Sequence, residues 1–180
     1  MTTTASAATR DLTFLALTAA LMAVCAWITI PFSLVPFTLQ TFGVFTALAL
    51  LGGRRGTLTI LLYLCLGLVG LPVFSGFSGG AGVLAGATGG FLLGFIATGL
   101  IYWALTARLG TSLPVKAVGL VLGLAVCYAV GAAWFIHVYA EPTSVGAALI
   151  ICVVPFIPAD LIKLALALAV SRRVGAAVKV

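Results

Sequence analysis

An all-α integral membrane protein with six transmembrane helices is what three observations predict. Of the 180 residues 63% are hydrophobic and only 7% charged, the apolar runs approach the length of a bilayer crossing, and basic residues recur at alternate ends of those runs. A soluble domain carries about 25% charged residues, so this composition excludes one. Nine lysines and arginines stand against three acidic residues, but no basic face or motif accompanies the excess. It fits anchoring to an anionic inner leaflet, which makes the lipid bilayer the partner and excludes nucleic acid.

With about 20 apolar residues per crossing and breaks at Gly, Pro and charge, five spans fall at 12–30, 38–53, 56–71, 89–107 and 115–139. The first follows Arg10 and Asp11; its run of about 19 apolar residues exceeds the ~7–15 of a signal-peptide core, so it is expected to stay as a span. The sixth crossing is broken: 144–154 is apolar and ends at Pro155 and Pro158, and a fresh helix is expected near Pro158, where proline suits the first turn, running to Arg172 and Arg173.

Arg10, Arg54, Arg55, Arg108, Lys116, Arg172, Arg173 and Lys179 all fall at one set of alternate ends, while the opposite loops carry Glu141 and no Lys or Arg. By the positive-inside rule both termini are cytoplasmic, and the loops Pro31–Pro36, Leu71–Thr88 and Ala140–Ser144 are external. Nothing repeats at solenoid spacing and no linker divides the chain, so residues 1–180 form one membrane domain.

Asp160 and Lys163 are the only charges within the last long apolar run. Each ion at bilayer depth costs roughly 2.5–3.5 kcal/mol on insertion scales, so their presence marks a candidate site. Lys163 lies about 14 Å and Asp160 about 18 Å along a helix from Arg172, near the midplane of a ~30 Å core, where transporters hold substrate beside broken helices. In the first turn, Asp160 also stands to gain from free backbone N–H groups. Residues three apart share a face, so mutual neutralisation is the competing role. Together the pair offers an acceptor beside a donor, which suits a small solute bearing N–H groups and a carbonyl or carboxylate.

The glycine-rich stretch Gly70–Gly90 is too long for a tight turn and reads as a lid, with a flexible connector as the alternative; no GK[ST] or βαβ context makes it a nucleotide loop. In Pro31-Phe-Ser-Leu-Val-Pro-Phe-Thr-Leu-Gln40, Gln40 suits a ligand hydrogen bond, while Thr38 equally suits helix capping and Phe32 and Phe37 interfacial anchoring. Trp134 and the lone His137 read as packing or interfacial residues. Cys25, Cys65, Cys127 and Cys152 are scattered singly and read as small packing residues; neither a metal centre nor a cofactor is implied. Ala16, Ala19, Ala20 and Ala23 form overlapping small-xxx-small spacings that permit close approach of another helix, within the protein or from a partner. No nucleophile–base grouping or paired carboxylates appear, so the chain is not read as an enzyme, and uphill transport would need a partner's energy.

Four ordered segments, Val35-Pro-Phe-Thr-Leu-Gln40, Gly70-Leu-Pro-Val-Phe74, Gly86-Ala-Thr-Gly-Gly-Phe91 and Pro155-Phe-Ile-Pro-Ala-Asp-Leu-Ile-Lys163, resemble the BioY family over nearly the whole chain. Those proteins are biotin-specific substrate-binding (S) components of energy-coupling factor (ECF) transporters. The resemblance implies the six-helix S-component fold in the cytoplasmic membrane and biotin bound near the outer face. It also implies a transmembrane coupling (T) protein and two ABC ATPases as partners, with ATP hydrolysed there, and rotation of the S component within the bilayer during transport. It puts Asp160 and Lys163 at the biotin and the alanine face of the first span at the coupling protein; Gln40, Thr38, Phe37, Phe74 and Phe77 are taken as further candidate substrate-binding residues. The family's third motif usually reads Gly-Pro-Thr-Gly-Gly-Tyr, where this chain has Ala87 and Phe91. An S component for another vitamin, a small membrane enzyme and a structural membrane-assembly subunit are the alternatives.

Overall fold

The computed structural model describes residues 2–30, 35–139 and 144–177. Phe32, Glu141 and Lys179, and most of the expected outer loops at Pro31–Pro36 and Ala140–Ser144, lie outside the described residues. In chain order come α1 (Thr2–Trp27), β1 (Thr29–Ile30), β2 (Phe37–Thr38), α2 (Gln40–Leu68), a 3₁₀ turn (Ser75–Phe77), α3 (Ala81–Ala85), α4 (Gly89–Leu109), α5 (Leu113–Val138), α6 (Val145–Cys152) and α7 (Ile157–Ala177). Four helices are long and apolar enough to cross a membrane among the described residues, and α6 with α7, bent by 48° at a short break, makes a fifth candidate. The chain is therefore a multi-pass helical membrane protein.

The two spans expected at 38–53 and 56–71 are the two arms of α2, and the break falls earlier than the charges suggested. At Gly52 the backbone adopts φ +80° and ψ 172°, a region open essentially to glycine, and the chain doubles back. The side chains of Gln40 and Tyr63, 23 positions apart, consequently meet at 2.6 Å, and Gly56 abuts the backbone of Leu48. A straight helix would hold the first pair about 35 Å apart. Two cations secure this turn. Arg55 bonds Asp11 of α1 at 2.9 Å, and Lys116 of α5 donates to the Ala49 carbonyl at 3.2 Å, satisfying an end group of the first arm. Basic residues at the start of α1, the α2 turn and the start of α5 thus gather at one end of the bundle.

Polarity is inverted relative to a soluble protein. On α7, Leu161, Ile162 and Leu166 are exposed while Asp160 and Lys163 are buried with Leu164 and Ala167. α4 and α5 approach closely where Gly94 meets Cys127 and Gly123 meets Thr98, whose hydroxyl donates to the Gly123 carbonyl at 2.9 Å. Small residues and interhelical hydrogen bonds do here what apolar burial does in water.

The stretch read as a loop between the third and fourth spans is ordered. Its N–H groups staple it to the end of α2, Leu71 to the Leu66 carbonyl at 3.1 Å and Gly80 to the Gly67 carbonyl at 2.7 Å. Two indoles hold it from outside: Trp27 donates to the Pro72 carbonyl at 2.8 Å and Trp134 to the Gly86 carbonyl at 2.9 Å.

Gly52→Ala adds no clash, since nothing lies within 4 Å of the added carbon, so its cost is conformational. A loss of about 1–3 kcal/mol is expected, read as a lowered thermal midpoint in detergent. An unchanged midpoint would contradict the turn geometry.

Candidate functional site

The prolines at 155 and 158 end α6 and restart the chain as α7, whose first turns aim Asp160 and Lys163 inward, where they are 2% and 5% exposed. The Lys163 ammonium lies 2.7 Å from Asp160 Oδ1. Neither ion depends on the other alone. Thr41 Oγ1 donates to Asp160 Oδ1 at 2.8 Å, and the Tyr128 hydroxyl donates to Oδ2 at 2.6 Å. Lys163 also donates to the Thr38 carbonyl at 2.7 Å and, more weakly, to Thr41 Oγ1 at 3.3 Å. Its Nζ sits 4.1 Å from the centre of the Phe37 ring, which stacks on Phe156.

As expected, Asp160 lies in the first turn of α7. The donors its carboxylate meets are side chains on α2, α5 and α7, while its own N–H donates to the Phe156 carbonyl at 2.8 Å.

The pair forms the polar end of a cavity of about 170 Å³. Gln40, Thr38, Thr41 and Tyr128 complete that end, while Phe74, Phe91, Phe95, Leu92 and Phe156 supply apolar walls. Of the residues singled out in the sequence, Asp160, Lys163, Gln40, Thr38 and Phe74 line this space. Phe37 stands behind Lys163 as its aromatic backing. Phe77 is not brought to the cavity: it is 64% exposed and stacks on Trp27, with ring centres 5.0 Å apart. The Gly70–Gly90 stretch does reach the cavity, through Phe74, Ser75, Ser78, Val83 and Thr88.

Thr41 and Tyr128 went unread in the sequence, and Cys127 and Cys152, read as packing residues, line the cavity as well as filling space. A signal for Tyr128 existed: a phenol in the middle of an apolar span needs an acceptor, and the chain offers few inside. Phe91 presents its bare ring to the cavity where the usual motif would put a hydroxyl. The alanine face of α1 divides in two. Ala19 and Ala23 are buried in the core against α2, where Met22 meets Gly43, whereas Ala16 and Ala20 are exposed beside Leu12 and Leu17.

A family model, described as the BioY family, matches residues 1–180. The chain belongs to the BioY family. It is 43% identical over 157 residues to the biotin transporter BioY of Thermotoga maritima, covering 86% of this chain and 89% of that one. A probable biotin transporter BioY of Pyrococcus horikoshii is 38% identical over 165 residues, covering 91% and 95%. Among solved structures, the S-component for biotin from an ECF-type ABC transporter superposes with a TM-score of 0.84 at 30% identity, covering 94% of this chain and 92% of that one. The BioY fold and the cavity thus come together in one molecule.

Tyr128→Phe removes one donor from a buried carboxylate while keeping the ring. A hydrogen bond to a charged group is worth about 1.5–3 kcal/mol, so a lower thermal midpoint in detergent is expected. No shift would mean that Asp160 Oδ2 does not rely on this hydroxyl.

Proposed function

We propose that this chain is the biotin-binding S component of an ECF-type importer, which takes up biotin across the cytoplasmic membrane. The observation that carries the reading is the shielded ion pair opening into a cavity with apolar walls from Phe74, Phe91, Leu92, Phe95 and Phe156. A carboxylate offers about four lone-pair positions, and three are filled here by Lys163, Thr41 and Tyr128. The position left on Oδ2 suits an N–H donor of the ligand. Gln40 adds a carbonyl oxygen with no partner among the described residues. Biotin has a matching form: a ureido ring with two N–H groups and one carbonyl, joined to an apolar thiophane and chain. Lys163 has its donors engaged, so it reaches the ureido oxygen or the carboxylate by releasing its weakest bond, the 3.3 Å one to Thr41. The biotin transporters among the relatives, and the solved S-component for biotin, support the same ligand.

Counting each arm of α2 as a crossing, and α6 with α7 as one, gives six spans with both termini cytoplasmic, in keeping with the basic residues gathered at one end of the bundle. Energy comes from two ABC ATPases through a T protein, and ATP is hydrolysed there. The exposed Ala16 and Ala20 form the contact with that partner; Ala19 and Ala23 serve the internal contact with α2.

Asp160→Asn keeps the shape and removes the charge, and is expected to weaken biotin binding by about 10- to 150-fold in calorimetry, the equivalent of one charged hydrogen bond. Unchanged affinity in folded protein would refute the assignment, as would displacement of labelled biotin by riboflavin or thiamine. Ala16→Trp with Ala20→Trp should abolish co-purification with the T protein and leave biotin binding in place; an intact complex would remove this face from the interface.

A further inference from the structure

Tyr63 lies outside the cavity, fully buried on the second arm of α2, yet its hydroxyl joins the cavity to the segment over it. It accepts from Gln40 Nε2 at 2.6 Å and donates to the Val73 carbonyl at 2.9 Å. The next residue, Phe74, meets the Tyr63 ring edge-on at 5.5 Å and lines the cavity. Phe74 is seated so closely over Gly67 that a side-chain carbon there would clash with its ring. Other anchors hold the same stretch, namely Trp27 on Pro72 and Thr29 on Ser75 at 3.1 Å, but neither of those two α1–β1 residues lines the cavity. Tyr63 connects a cavity-lining amide with the covering backbone.

We propose that Gln40, Tyr63 and the Val73 carbonyl form a relay through which an occupied cavity tightens the 70–80 segment, making Tyr63 a positioning residue for ligand retention. The proposal rests on the biotin-binding reading above. By taking one amide N–H, Tyr63 fixes which way the Gln40 carboxamide faces, leaving its carbonyl oxygen for a ligand N–H. A ligand donating to that oxygen polarises the amide and strengthens its N–H as a donor. The Tyr63 O–H, accepting a stronger bond, in turn becomes a better donor to Val73, because consecutive hydrogen bonds reinforce one another in a low-dielectric interior. Linkage requires the reverse as well: a segment held down by Val73 favours the occupied cavity. Only a group that accepts and donates at once can pass this on, and phenylalanine does neither.

The test follows biotin release and amide hydrogen exchange of residues 73–80 in the purified full-length chain. The Phe74 and Gly80 amides are bonded to the Ser78 and Gly67 carbonyls and exchange only when the segment opens. In the wild type, saturating biotin slows this exchange. Tyr63→Phe is expected to release biotin about tenfold faster, the equivalent of one lost hydrogen bond, and to show no slowing at saturation. Trp27→Phe removes an anchor outside the relay; it should speed exchange with and without biotin and retain the difference between the two. Should Tyr63→Phe fail to fold, Gln40→Met, which keeps the length and deletes the amide, is expected to lose the same slowing. Biotin-dependent protection persisting in either relay variant overturns the proposal, as does wild-type protein that binds biotin without protecting the segment. Wild-type protein that binds no biotin refutes instead the functional reading on which the relay rests.

Discussion

Asp160 and Lys163 are held 2.7 Å apart inside a bundle whose outer surface is apolar, and ions in that setting need partners for most of their hydrogen-bonding positions. That requirement organises three helices. Thr38 and Thr41 must come from the approach to and first turn of α2, Tyr128 from the middle of α5, and the pair itself from the start of α7. None of these contacts is local in sequence except the pair. The ion pair therefore works as a clasp for distant segments, and the cavity lies beside the clasp, walled by Phe74, Phe91, Phe95 and Phe156.

Much of this was legible in the chain because a bilayer writes its constraints in composition. Apolar runs gave the long helices of a multi-pass membrane protein, and two charges in an apolar stretch gave the polar end of the cavity. The parts that were not legible depend on direction. Hydropathy does not say on which residue a helix doubles back, so the break at Gly52 was read two residues too late, at the arginines that follow it. Small-xxx-small spacing does not distinguish faces, so one alanine set on α1 divides between the core and the exterior. Thr41 contributes a single polar atom to an apolar span, too little to stand out from packing, and the phenol of Tyr128 signals a need for an acceptor without saying which one. Phe77, expected at the substrate, lies between Phe74 and Ser78, both of which do line the cavity, but a φ of +56° at that residue accompanies a ring stacked on Trp27.

Membership of the BioY family gives these contacts a setting, and the departures at Ala87 and Phe91 acquire a location. Ala87 packs beside the second apolar cluster, around Phe135, Ala148 and Phe156. Phe91 occupies the cavity wall at the start of α4 and brings no hydroxyl to it. The polar contacts are concentrated at the α7 end of the cavity, and the α4 wall is contributed largely by rings and aliphatic side chains.

The last helix carries one more consequence. Each residue of an α-helix turns the chain by about 100°, so a residue added to or removed from α7 between Lys163 and Leu164 would turn Asp160 and Lys163 away from the buried face they share with Leu164 and Ala167. Register along α7 is thus a keyway that ties the ion pair to the inward side of its own helix.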